Sequence, residues 1–289
     1  MANGIIVIDK PAGWTSHDVV AKLRRLMSER RIGHGGTLDP MATGVLPVFV
    51  GRATRAVEFA AEGDKEYVAG LRLGVVTDTQ DMTGTVLSTT PVTEEAAHAL
   101  QSLLPRFIGE ISQIPPMYSA IKQNGKKLYE LARAGKEVVR PPRQVTIYAL
   151  ELLEQVSPTD FVLRIACSKG TYIRTLCHDM GQALGWGGAL YSLRRTRAAG
   201  FTLEESIPLS RVMETEDPPS LLLPVDRYFA QYPALIVPPK EEKSIRNGTS
   251  FLWQGDDGLY RVYSNQQEFL MLGRLESGRM TTLKSFFEV

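Results

Sequence analysis

The 289-residue sequence predicts an α+β fold: a mixed, largely antiparallel central sheet with flanking helices, then a small β-rich C-terminal module. Three observations lead there. Strand-length apolar runs mix irregularly with helix-period segments instead of following strict βαβ order, which favours a mostly antiparallel sheet. Residues 145–154 and 160–167 read as adjacent strands joined by Ser157-Pro158-Thr159-Asp160, a hairpin-type connection. Beyond Tyr232 the pattern changes to short strands separated by glycine turns, which marks residues 233–289 as a separate β-rich module.

Taken in order, Ile5-Ile6-Val7-Ile8 reads as a buried first strand ended by the Pro11–Gly13 turn. Ser16 is the expected N-cap of a helix whose apolar face carries Val19, Val20, Leu23 and Leu26. Val45, Leu46, Val48, Phe49 and Val50 form a second buried strand. Residues 65–75 alternate as a strand, an acidic turn (Asp78, Asp81, Gly84) follows, and residues 85–88 form the next strand. Thr93-Glu94-Glu95-Ala96 opens a helix with Leu100, Leu103 and Leu104 on one face, residues 171–184 give another, and 189–201 a further strand. The acidic, proline-bearing stretch 204–224 reads as a peripheral connection.

Composition narrows the function classes. Hydrophobic content of 43% and charged content of 22% are ordinary for a globular protein and exclude a disordered chain. No apolar run approaches the roughly 18–20 residues that span a bilayer, and the short one at the N-terminus ends at Asp9, unlike a secretory signal. Cys167 and Cys177 suit neither a disulfide framework nor a zinc site, so a reducing cytoplasm is expected. The net charge of +1 hides an uneven distribution. Residues 122–143 carry seven basic against two acidic side chains, and residues 20–36 five against one. Clustered basic charge on a nearly neutral chain is the footprint of a polyanion-binding face, although a solvated surface explains any single cluster equally well.

The most informative stretch is residues 33–47, with Asp39 at its centre. Gly33, Gly35 and Gly36 permit close backbone approaches, and Pro40 holds Asp39 away from helix, on an extended loop. An ordered loop rooted in a buried strand is how a fold presents a reactive carboxylate. Spacing alone leaves a turn-forming aspartate as the simpler reading. Other catalytic patterns fail: there is no Gly-x-Ser-x-Gly elbow and no phosphate-binding glycine loop. His17, His34, His98 and His178 lack metal-ligand spacing. Cys177-His178-Asp179 are sequence neighbours on a helix and cannot converge on one substrate atom.

The string His34-Gly35-Gly36-Thr37-Leu38-Asp39-Pro40-Met41-Ala42-Thr43-Gly44 closely resembles the catalytic motif of the TruB family of tRNA pseudouridine synthases, in which the aspartate is the nucleophile. Further matches follow in order. Gly4 to Ser16, containing Lys10-Pro11, is similar to the family's N-terminal motif. Asp64-Lys65-Glu66-Tyr67 resembles the segment of its active-site tyrosine, and Ile114 to Glu130 its RNA-gripping insertion. Lys169-Gly170-Thr171-Tyr172-Ile173-Arg174-Thr175-Leu176 resembles its third catalytic motif, and Leu193-Arg194-Arg195 its last pocket segment. Five ordered motifs over residues 4 to about 200 are far more specific than any one.

The resemblance implies a pseudouridine synthase fold over residues 1–232, with an RNA-gripping insertion at about 112–143, and a PUA-like RNA-binding domain over 233–289. It implies conversion of uridine 55 in the TΨC loop of tRNA to pseudouridine without cofactor or metal. The partner is the T-arm of tRNA; no membrane is involved, and the chain is expected to be a monomer. Asp39, Arg174 and Tyr67 are the implied catalytic residues, Arg174 as the counter-charge that keeps the carboxylate ionised. His34, Tyr172, Leu193, Lys10, Lys126 and Lys127 are the implied substrate-binding residues, the tyrosines stacking on an extruded base. Whether Asp39 attacks the ribose, attacks the ring or abstracts a proton stays open. The rivals are a guide-RNA-dependent dyskerin-type enzyme, a non-catalytic RNA-binding or chaperone module, and an unrelated carboxylate hydrolase. The hydrolase is disfavoured because no second acid of similar motif quality accompanies Asp39.

Overall fold

The computed structural model of the chain describes residues 2–119, 121–123 and 125–288. Strand β1 (Gly4–Lys10) holds Ile5, Ile6, Val7 and Ile8, all essentially inaccessible to solvent. Helix α1 (Ser16–Leu26) begins at a capping box: Thr15 Oγ1 accepts from the Asp18 N–H (3.0 Å), and the Asp18 carboxylate accepts from the Thr15 N–H (2.9 Å). The N-cap is therefore Thr15, not Ser16, and the Ser16 hydroxyl is left for another task. Strands β2 (Ile32–His34) and β3 (Thr43–Val50) pair antiparallel, with His34 opposite Val48.

After α2 (Val57–Glu62) come β4 (Lys65–Leu73) and the hairpin of β5 (Val75–Thr77) with β6 (Val86–Thr89). Helix α3 (Ala96–Leu103) starts three residues later than expected, because the Thr93 carbonyl accepts from the Ala96 N–H in a turn (3.2 Å). Then follow β7 (Gly109–Gln113), the two-residue strands β8 (Lys122–Gln123) and β9 (Lys126–Lys127), and α4 (Leu128–Arg133). The predicted hairpin is β10 (Arg143–Gln155) against β11 (Asp160–Cys167). Helix α5 (Ile173–Ala183) precedes β12 (Gly188–Ala198), which stops at Ala199 and Gly200, both at positive φ, before β13 (Phe201–Thr202). The last stretch runs through β14 (Ile207–Pro208), α6 (Leu209–Glu214), β15 (Ala234–Ile236), α7 (Pro239–Arg246), β16 (Phe251–Leu252), β17 (Gly258–Tyr263), β18 (Phe269–Glu276) and β19 (Arg279–Ser285).

The chain divides into two compact units. The first comprises the chain up to Asp39, Val45–Glu62 and everything from Ala199 onward. Here β14 pairs in parallel with β1 (Ile8 opposite Ile207), and Leu223 exchanges backbone hydrogen bonds with Ile5 at 2.8 and 2.7 Å. The stretch 204–224, expected to be peripheral, is thus built into the sheet edge. Its scattered apolar residues explain this: Leu209 and Val212 are buried while Glu204, Glu214, Glu216 and Asp217 on either side of them face solvent. The C-terminal strands form their own five-stranded sheet, order β15-β17-β18-β19-β16, over a core of Val237, Ile245, Val262, Leu270, Met271 and Met280. Arg52 and Arg55 donate to the carbonyls of Phe286 and Ser285 (3.0 and 2.8 Å), and Phe229 packs on Phe59, Phe269 and Phe286.

The second unit comprises Pro40–Gly44 and Gly63–Ala198. Its sheet runs β12-β4-β11-β10-β7, antiparallel at each step, the largely antiparallel arrangement the sequence predicts. Helix α5 packs on β12 and β4. The start of β3 adds in parallel, Thr43 beside Arg194 and Gly44 beside Arg195. Gly44 lies at φ 100°, and a β-carbon there would come within 2.2 Å of the Arg195 carbonyl oxygen, so only glycine fits.

Candidate active site

The loop that carries Asp39 lies in the first unit up to that residue. Gly35 closes its near end by donating to the Pro47 carbonyl (2.9 Å), and a β-carbon at Gly35 would meet Ala60 Cβ at 2.7 Å. His34 Nδ1 accepts from the Gly36 N–H (3.4 Å). The far end is held by Ser16. Its Oγ accepts from the Leu38 N–H at 2.8 Å and donates to the Leu38 carbonyl at 3.2 Å. Ser16 and Leu38 are buried, and half-buried Asp39 follows on non-repetitive backbone before the Pro40 turn. Lys10 is fully buried, and its ammonium donates to the Pro11 and Trp14 carbonyls (2.9 and 2.7 Å), holding the turn into α1.

In the second unit, Tyr67 and Ala69 of β4 face Arg195 and Leu193 of β12 in the sheet register. Alternate residues share a face, so Tyr67, Leu193 and Arg195 lie on one side of this sheet, all buried. Tyr172 caps α5 with its backbone bracketed by Gln113. The Tyr172 N–H donates to Gln113 Oε1 (3.0 Å), and Gln113 Nε2 donates to the Tyr172 carbonyl (3.3 Å). Two residues on, Arg174 is 5% exposed. Its Nη1 donates to the Thr79 carbonyl (3.1 Å) and lies 3.5 Å from Asp81 Oδ2, and its Nη2 donates to the Tyr118 carbonyl (2.8 Å). The other Asp81 oxygen accepts from Thr79 Oγ1, the Thr83 N–H and Thr83 Oγ1 at 2.9, 2.9 and 2.5 Å. A buried guanidinium with that many fixed partners is a preorganised positive charge. Lys126 is exposed on the β8–β9 hairpin, and the Lys127 side chain lies outside the described residues.

The model of the TruB family pseudouridylate synthase N-terminal domain matches residues 24–173, and that of the tRNA pseudouridylate synthase B C-terminal domain matches 174–230. A tRNA pseudouridine synthase B of Streptococcus thermophilus (strain CNRZ 1066) is 47% identical over 86% of this chain and 87% of its own. Its counterpart in Clostridium kluyveri is 40% identical over 98% and 99%. The chain belongs to the TruB family. It is a pseudouridine synthase, an isomerase. Among solved structures, a chain of an H/ACA ribonucleoprotein bound to a substrate RNA containing 2'-deoxyuridine aligns over 99% of this chain and 86% of that one, with a TM-score of 0.72 and 26% identity. A chain of a Cbf5-Nop10-Gar1 complex aligns with the same TM-score and 28% identity.

Three residues of this TruB-family chain escape the sequence reading. Asp81 looks like one acid of a turn; the signal is the Thr79-x-Asp81-x-Thr83 alternation, which supplies hydroxyls to a carboxylate. Gln113 carries no motif, and only its place at the end of β7 gives it a role. Ser16 sits in Thr15-Ser16-His17-Asp18, where the capping box needs only Thr15 and Asp18. The rejected Cys177-His178-Asp179 triplet stays inert in physical terms. Burial raises the Cys177 thiol far above its ordinary range, lowers His178, and pushes Asp179 up to about 6. Among the described residues no helix is long and apolar enough to cross a membrane, and no group of three or more His, Cys, Asp or Glu is placed to hold a metal.

Proposed function

We propose that this enzyme converts uridine 55 in the TΨC loop of tRNA to pseudouridine, with Asp39 as the nucleophile. The observation that carries the reading is the loop itself: the carboxylate follows a residue whose N–H and carbonyl are both held by one buried hydroxyl. Relatives named tRNA pseudouridine synthase B, spanning nearly the whole chain, support tRNA as the substrate. The reaction breaks the glycosidic bond, turns the base and rejoins it to the ribose through carbon, so the base must leave its stack. In this reading the Arg174 charge keeps Asp39 ionised. Tyr67, Tyr172 and Leu193 line the pocket for the extruded base, and His34 holds the RNA in its opened shape. Lys10 contributes through the turn it holds, and Lys126 and Lys127 grip phosphates. Residues 1–232 act as the catalytic domain and 233–289 as a PUA-like RNA-binding domain. The enzyme works in the cytoplasm as a monomer, without cofactor or metal.

The H/ACA likeness favours a second reading, in which a guide RNA selects the uridine. One experiment separates the two: incubate the purified protein with an unmodified tRNA transcript alone and map pseudouridine. Product at position 55 supports the first reading. No product without added guide RNA and protein partners would favour the second.

A further inference from the structure

We infer that Ser16 is a positioning residue for Asp39: its hydroxyl fixes the backbone of Leu38 and thereby the direction in which the next side chain leaves the loop. This inference rests on the reading of Asp39 as the reacting carboxylate.

The geometry is specific. Ser16 and Leu38 are 22 positions apart in sequence, and both are buried, at 2% and 3% exposure. One oxygen serves both polar groups of a single peptide residue, accepting from its N–H at 2.8 Å and donating to its carbonyl at 3.2 Å. Buried backbone groups need partners, and Leu38 lies outside any strand or helix that would supply them through a ladder. Nor does α1 require this hydroxyl, because Thr15 and Asp18 already complete its capping box. The Ser16 hydroxyl is therefore directed to the loop.

The leverage follows from distance. Consecutive Cα atoms are about 3.8 Å apart, so a rotation of the peptide at Leu38 swings the Asp39 carboxylate directly. A misplacement of about 1 Å can cost on the order of a hundredfold in rate without changing how tightly substrate binds. Removing the hydroxyl also leaves a buried N–H and carbonyl without that partner, which favours a different loop conformation. Such a residue differs from one that merely fills space: its loss should appear in the chemical step.

The test compares Ser16→Ala, Ser16→Thr and Ser16→Cys with wild type by single-turnover pseudouridine formation under saturating enzyme. Binding of the unmodified tRNA transcript and Tm are measured alongside, with rates taken well below every Tm. The expected result is a Ser16→Ala rate roughly tenfold to a hundredfold below wild type, tRNA Kd within about twofold, and a Ser16→Thr rate nearer wild type because it keeps a hydroxyl. If Ser16→Ala does not fold, Ser16→Cys, close in volume with only a weak donor, stands in and should show the same loss. A folded variant lacking the hydroxyl that turns over within threefold of wild type, whatever its Tm, overturns the inference. Wild-type protein that makes no pseudouridine, or an Asp39→Asn variant that makes it normally, would instead defeat the functional reading beneath it.

Discussion

The segments that carry Asp39 and Arg174 are immobilised in opposite ways. Asp39 is held through its backbone, by a serine hydroxyl that brackets the preceding residue and by a glycine tie at Gly35. Arg174 is held through its side chain, by Asp81 and the carbonyls of Thr79 and Tyr118, while Gln113 brackets the backbone two residues earlier. A buried guanidinium needs fixed partners to be tolerated at all; in the proposed mechanism, Asp39 is aimed by the backbone that carries it.

The comparison breaks most visibly at Asp81. Asp81→Ala removes a carboxylate 3.5 Å from the buried guanidinium and should cost about 3 kcal/mol of stability, with a matching loss of turnover. Urea unfolding that shows a loss of less than about 1 kcal/mol would mean that Asp81 is not what holds Arg174. Gln113→Ala tests the backbone bracket in the second unit. The half-buried Tyr172 N–H loses the Gln113 acceptor while the Tyr172 carbonyl keeps the Leu176 N–H (3.0 Å), so about 1 kcal/mol should disappear. An unchanged Tm would show that α5 needs no bracket.

An effect of opposite sign lies further along α5. Burial raises Asp179 from 3.8 to about 6, so the fold favours its protonated form. Stability from that preference is complete below pH 3.8 and is lost as pH rises through about 6. Asp179→Asn should therefore stabilise the protein by roughly 1 kcal/mol at pH 8, a value discounted for partial solvent exposure, and by almost nothing at pH 3.5. Equal Tm shifts at both pH values would contradict the assignment.

How much of this is legible in the sequence follows the same division. Backbone presentation leaves a pattern of glycine and proline, so the loop around Asp39 stands out, and the motif string marks Arg174. The partners that hold them are harder to read. Ser16 looks like a helix cap because a hydroxyl before an apolar periodicity usually is one; Thr15 competes for that place and wins. Asp81 and Gln113 reach their targets across 93 and 59 positions of chain, a distance no local pattern encodes. The strands are clear wherever apolar runs are long. The β14 edge escapes because a two-residue strand inside an acidic stretch has no period to detect.

The smallest expected effect in free energy concerns the RNA grip. Replacing Lys126 and Lys127 with alanine should weaken tRNA binding and flatten the slope of log K against log salt by about one for each phosphate no longer neutralised. A slope identical to wild type would reduce this cluster to a solvated surface.

The most direct test of the central claim is Asp39→Asn. Asparagine keeps the size of the side chain and tolerates the same turns, but it lacks the negative charge a nucleophile needs. With tRNA occupancy matched to wild type by measured Kd, single-turnover pseudouridine formation at position 55 should fall to background while folding and binding persist. Turnover near the wild-type rate at equal occupancy would contradict the account and leave Asp39 as a turn-former.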